Sequence, residues 1–170
     1  MPSFLPAGAL LFLALPGFTL AEQLKVGSIS DGETFTGLDS QNRQLKIRLH
    51  GIDAPEKAQA FGNVARKALG DLIKGKVFEV QQVDKNRYGR VVANVHVGCN
   101  HVHREQVAKG LAWRCVQYDK KGEFTQVEQA AKTARKGLWA DEKPVPPWEW
   151  RKNAKERRAA KKGAGVDGGR

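Results

Sequence analysis

An α+β fold, strands first and helices after, is what this sequence predicts, and three features predict it. Apolar and polar residues alternate with a period of two from Leu24 to Gly51, and the period lengthens to that of a helix between Gln59 and Lys74. Two further strand-like runs, Val77–Val83 and Val91–Val97, then precede a helical second half. The 170 residues are 41% hydrophobic and 28% charged, an ordinary globular mixture that excludes wholesale disorder, a collagen-like rod and a multi-span membrane protein. That length suits one modest core rather than two.

The elements follow in order. LKVGSIS, ETFTGL and QLKIRLHGI read as three strands, punctuated by Asp31-Gly32 and Asp39-Ser40. In the third, Leu45, Ile47 and Leu49 face one way and Lys46, Arg48 and His50 the other, which sets Arg48 opposite the apolar face. Phe61, Val64, Ala65, Ala68, Leu69, Leu72 and Ile73 form one helical stripe that Gly75 ends. The charged loop Asp84–Arg90 makes a hairpin of the next two strands, with KNRYGR at its tip. His101–Leu111 reads as a short helix closed by Gly110, and Phe124–Lys136 as another that ends at Gly137. Pro144, Pro146 and Pro147 are expected to forbid helix beyond that point. Five strands beside about three helices fit a small five-stranded Greek-key β-barrel of the OB type.

Charge is uneven along the chain. There are 29 Lys and Arg against 18 Asp and Glu, a formal net charge of +11 at pH 7 that favours a polyanionic partner. Residues 1–21 contain no ionisable side chain. Their run Ala9–Leu15 is too short for ~30 Å of hydrocarbon, and Thr19-Leu20-Ala21 offers small residues for cleavage, so a signal peptide and export to the periplasm or medium are expected. Residues 22–150 then form the domain. Residues 151–170, with eight Lys and Arg against two acids, read as a disordered basic tail that either neutralises phosphates or is simply solvated. An exported protein could join Cys99 to Cys115, and two unpaired thiols fit as well. His96, His101 and His103 crowd together, but H-x-H on a helix sets its rings about 200° apart, which argues against a shared metal.

Three stretches carry the chemistry: Asp31-Gly32-Glu33-Thr34, then Arg48-Leu49-His50-Gly51-Ile52-Asp53-Ala54-Pro55-Glu56, then Arg87-Tyr88-Gly89-Arg90. Singly, each passes for a turn or a helix start. Together, in order and spacing, they resemble the staphylococcal nuclease (thermonuclease) family, marked by D-G-D-T, R-L-x-G-I-D-x-P-E and D-R-Y-G-R. The likeness continues through Val107–Trp113 and the ending A-R-K-G-L-W at Trp139. It implies an OB barrel with three helices and a Ca²⁺-dependent nuclease acting on DNA and RNA with little base preference, leaving 3′-phosphate ends, as a monomer without a stable protein partner.

The resemblance implies site roles residue by residue. Glu33, Asp53 and the main-chain oxygen of Ala54 match the metal-binding positions, a hard-oxygen set suited to Ca²⁺. Glu56 matches the carboxylate that activates or orients water. Arg48 and Arg90 match the two catalytic arginines, whose guanidinium forks grip phosphate oxygens at any working pH. Tyr118 lies near the family's nucleotide-contacting tyrosines, and Tyr88 is the other substrate-binding candidate, although it also fits turn packing. The sequence departs from the pattern at Glu33, where the family has Asp. The extra methylene, ~1.5 Å of reach, would shift a bound metal relative to the phosphate. Asn86 replaces the Asp before R-Y-G-R, and His103 stands where the family often has Asn. A nucleic-acid-binding OB module with weak or lost catalysis is the alternative that Glu33 favours. A protein for anionic lipid or cell wall leaves the motif carboxylates unexplained.

Overall fold

The computed structural model describes residues 22–86 and 89–164. The expected signal peptide and Tyr88 therefore lie outside the described residues, as does the chain beyond 164. The first strands are β1 (Glu22–Ile29), β2 (Thr34–Leu38) and β3 (Gln44–Leu49), an antiparallel meander. The two-residue β4 (Ile52–Asp53) leads to helix α1 (Gly62–Ile73). Then come β5 (Val77–Lys85) and β6 (Val91–Val97), the short β7 (Asn100–His101), and α2 (Val102–Ala108). β8 (Trp113–Arg114), α3 (Thr125–Thr133), a 3₁₀ turn at Gly137–Ala140 and α4 (Pro147–Ala164) complete the described chain.

The strand order β3-β2-β1-β5-β6 closes on itself because β3 also pairs with β6, in parallel. This is the expected five-stranded barrel of OB type. Closure leaves no strand edge on the five and sets Arg48 beside Val92. The alternation in β3 holds: Ile47 and Leu49 are buried, and Arg48 between them points away from the core. Leu24, Phe35, Phe78 and Val95 fill the barrel, with Phe35 and Phe78 meeting edge to face at 5.3 Å. α1 caps it through Ala65, Leu69 and Ile73, whereas Val64 of the expected stripe is exposed.

The C-terminal region corrects two expectations. The segment from residue 151 is not a disordered tail where the chain is described, and the prolines do not forbid helix: among the described residues a fourth α-helix joins the three expected, and α4 starts at Pro147 itself. At the first helical position a proline loses nothing, since its missing N–H has no intrahelical acceptor there. Arg, Lys, Ala and Glu then fill the helix, all strong helix formers. Trp148 packs edge to face on Trp113 at 6.4 Å, and Arg157 lies over the Trp150 ring at 5.7 Å. Among the described residues no helix is long and apolar enough to cross a membrane. Cys99 and Cys115 are separate thiols.

The histidine cluster is a structural hub. His103 is fully buried; its Nε2 accepts from the Val95 N–H (3.0 Å), so Nδ1 donates to the His50 carbonyl (2.7 Å). That arrangement needs the neutral ring, and burial, followed by the neighbouring His101, drives its pKa down to about 3. The native pKa lies below the unfolded value, so the unfolded chain takes up the proton first as pH falls. Stability from this group is complete above the ordinary value of 6.5 and declines toward pH 3. The expected loss is about 2 kcal/mol between pH 7 and pH 5. Urea unfolding at the two pH values would read it, and His103→Asn should remove that share of the slope; an unchanged slope in the variant would refute the assignment.

Candidate active site

Asp31 opens the site with an Asx turn. Its Oδ1 accepts from the N–H groups of Glu33 (2.9 Å) and Thr34 (2.7 Å), which turns the chain into β2. Burial pushes the Asp31 carboxyl above the usual range, against the hydrogen bonds from Thr34. Gly32 is required here by close approach, since a Cβ would fall 2.7 Å from that of Ala65 and 2.8 Å from that of Ala54. Gln106 of α2 locks the same corner, its amide donating to the carbonyls of Gly32 (2.7 Å) and Ala65 (3.0 Å).

From this corner a row of alternating charge crosses the cleft. Glu33 bonds to Arg48 Nη1 through one carboxylate oxygen and accepts the Ala54 N–H (3.0 Å) through the other. Arg48 Nη2 lies 3.6 Å from Asp53 Oδ1. Asp53 is held by both arms of Arg151, at 3.2 and 2.7 Å, and Arg151 Nη1 continues to Glu56 Oε1 at 2.9 Å. The order is thus Glu33, Arg48, Asp53, Arg151, Glu56. Glu33 and Asp53 are each 4% exposed, and buried carboxylates survive only when paired in this way. The bond to Asp53, then that to Glu56, raises the Arg151 pKa further still.

The walls come from three other segments. On the β5–β6 side, Asn86 Oδ1 accepts the Arg90 N–H (3.1 Å), and the Asn86 carbonyl accepts the Gly89 N–H (2.9 Å). Asn86 therefore serves as the turn residue that aims Arg90 at the cleft. Opposite it, Asp119 organises the loop after β8, accepting from Arg114 Nε (2.6 Å) and from the N–H groups of Glu123 (2.8 Å) and Phe124 (3.1 Å). That loop presents Tyr118, 6.4 Å from His50 and well exposed. On the third side Gln59 links the Glu56 loop to the chain before α4, accepting from the Glu56 N–H (3.2 Å) and donating to the Val145 carbonyl (2.5 Å).

Glu33, Arg48, Asp53, Glu56, Arg90 and Tyr118 thus line one cleft of about 1270 Å³. Ala54 is buried beside it, its N–H spent on Glu33. Asp31, Arg114 and Arg151 also line the cleft and were not among the expected site residues. Asp31 was legible as the first residue of D-G-E-T; Arg151 lay hidden in a segment read as tail.

The donor set can be tested against Ca²⁺. Among the described residues no three His, Cys, Asp or Glu side chains gather as a metal cage. Two buried carboxylates, completed by main-chain and water oxygens, nonetheless suit a hard cation that tolerates irregular coordination. The residues fit, provided the Arg151 guanidinium on Asp53 gives way.

Residues 46–141 match the family described as Staphylococcal nuclease homologue. An "Uncharacterized endonuclease" of Haemophilus influenzae is 40% identical over 131 residues, 77% of this chain and 74% of that protein. A protein of the same name from Escherichia coli is 36% identical over 129 residues, covering 75% and 83% of the two chains. The "Staphylococcal-like nuclease CAN1" of Arabidopsis thaliana is 36% identical over 139 residues; there the match spans 80% of this chain but 43% of the plant protein. With the barrel, the ordered motifs and this coverage in agreement, the chain belongs to the staphylococcal nuclease family.

Proposed function

We propose that this chain is an exported, Ca²⁺-dependent, sugar-nonspecific nuclease that hydrolyses phosphodiester bonds of DNA and RNA and leaves 3′-phosphate ends. The observation that carries this is the convergence of Glu33, Arg48, Asp53, Glu56 and Arg90 on one cleft of a basic protein. Relatives named as endonucleases or nucleases support the reaction class. The uncharged apolar stretch at residues 1–21 supports export.

Glu33 and Asp53 would hold the cation, with the Ala54 carbonyl as the further ligand that the family resemblance suggests. When bound, Ca²⁺ supplies positive charge against a phosphate oxygen. Arg48 and Arg90 both line the cleft from neighbouring strands of the barrel, so a phosphodiester bound there is gripped by two forks that strengthen their hold as negative charge accumulates. Glu56 is partly open to the cleft and is suited to orient a water and take its proton.

The test is digestion of single-stranded DNA and of RNA by the protein beginning at Glu22, with Ca²⁺ and with a chelator, and analysis of the product ends. Calcium-dependent cleavage to 3′-phosphates is expected. Retained nucleic-acid binding with no cleavage would select the binding-module alternative.

A further inference from the structure

Arg151 lies ten residues beyond the stretch that matches the family, and its two nearest partners lie 98 and 95 residues before it in the chain. We propose that Arg151 is a resident counter-ion of the cleft, occupying the Asp53 carboxylate in place of the divalent cation, so that cation uptake expels it and loosens α4. This rests on the assignment of Glu33 and Asp53 as the cation's ligands.

Geometry carries the argument. Both oxygens of Asp53 accept from Arg151, in the bidentate arrangement that covers the face a cation must approach. A hard cation binds carboxylate oxygen at about 2.3–2.6 Å, which would press two positive charges onto one buried group. One of the two guanidinium groups on Asp53 has to leave. Arg48 is rooted in the closed barrel between two buried residues and its side chain is 23% exposed, while that of Arg151 is 46% exposed on the surface helix α4. Arg151 is therefore the group that yields.

Its place in the row explains why it is there at all. Without cation or guanidinium, Asp53 would keep only the longer contact to Arg48, and Glu56 would face it as a like charge. Arg151 joins the two carboxylates and keeps Glu56 beside Asp53 until the cation arrives, which makes it a positioning residue. Gln59 fastens the approach to α4 onto the same loop through Val145, so α4 and the Glu56 loop are tied at two points, only one of which depends on charge. Release of Arg151 should therefore loosen α4 without detaching it.

The experiment is Ca²⁺ titration by calorimetry, in the absence of nucleic acid, on the chain beginning at Glu22 and on its Arg151→Met and Arg151→Lys variants. Methionine keeps an unbranched apolar stem without the charge. Hydrogen exchange of residues 147–160 in the wild type, with Ca²⁺ and with chelator, is measured alongside. Arg151→Met should bind Ca²⁺ about tenfold more tightly, with Arg151→Lys in between. In the wild type, Ca²⁺ should accelerate exchange in α4. Equal or weaker binding by Arg151→Met, with α4 exchange in the wild type unmoved by Ca²⁺, would overturn the counter-ion role while leaving the cation site standing. Absence of Ca²⁺ binding in all three proteins would remove the cation site and the counter-ion role together. Should Arg151→Met fail to fold, Arg151→Lys and the wild-type exchange decide.

Discussion

Glu56→Gln is expected to slow cleavage of single-stranded DNA by about 10³-fold while leaving the fold intact. The amide is isosteric and can still accept from Arg151 through its oxygen, so positioning survives and proton acceptance does not. The side chain is 42% exposed and lies outside the core, which places the stability change within about 0.5 kcal/mol. Initial rates on a fluorescent oligonucleotide, with thermal melts of both proteins, would measure the two quantities separately. A loss below tenfold in a well-folded variant would take Glu56 out of the proton transfer.

Gly62→Ala should act on the same residue through the backbone. A Cβ at Gly62 would stand 2.0 Å from the Glu56 carbonyl oxygen, 2.9 Å from its carbon and 3.1 Å from the Lys57 Cα. None of these atoms belongs to a side chain that could swing aside, so the loop from Glu56 to Gly62 must move off the end of α1. The cost is expected near 3 kcal/mol. Cleavage should fall about 10²-fold even in the folded fraction, because Glu56 would be carried away from Asp53. Urea unfolding and rates at matched folded fraction would check both. Wild-type stability in this variant would show that the loop has room the packing does not reveal.

How much of this was legible in the sequence depended on the range of the interaction. Arg48 was readable because its neighbours Ile47 and Leu49 fix the face by simple alternation, and burial of both put it in the cleft. The grouping of Glu33, Asp53 and Glu56 was readable because three motifs kept a known order. The parallel closure of β3 on β6 was not, since register between distant strands leaves no local mark. His103 showed itself only as one of a crowd of histidines, and the two backbone groups it satisfies lie at Val95 and His50. α4 misled most: it is polar around nearly all its circumference, so it has no apolar stripe to announce a docked helix. Its anchors are one aromatic contact, Trp148 on Trp113, and one guanidinium, and the acids that guanidinium meets lie almost a hundred residues away.

One feature of α4 makes that docking visible. Of the four tryptophans in the chain, three form a contiguous group: Trp113 on β8 meets Trp139 of the 3₁₀ turn at 5.3 Å and Trp148 of α4 at 6.4 Å. Trp113 is nearly buried, whereas Trp148 is 44% exposed and held on the group by α4. Motion of α4 changes both the hydration of the Trp148 indole and its coupling to Trp113. The emission maximum and the exciton signal of the near-ultraviolet circular dichroism should therefore follow the helix without any label, and the protein carries its own optical gauge of whether the arm beside its cleft is seated.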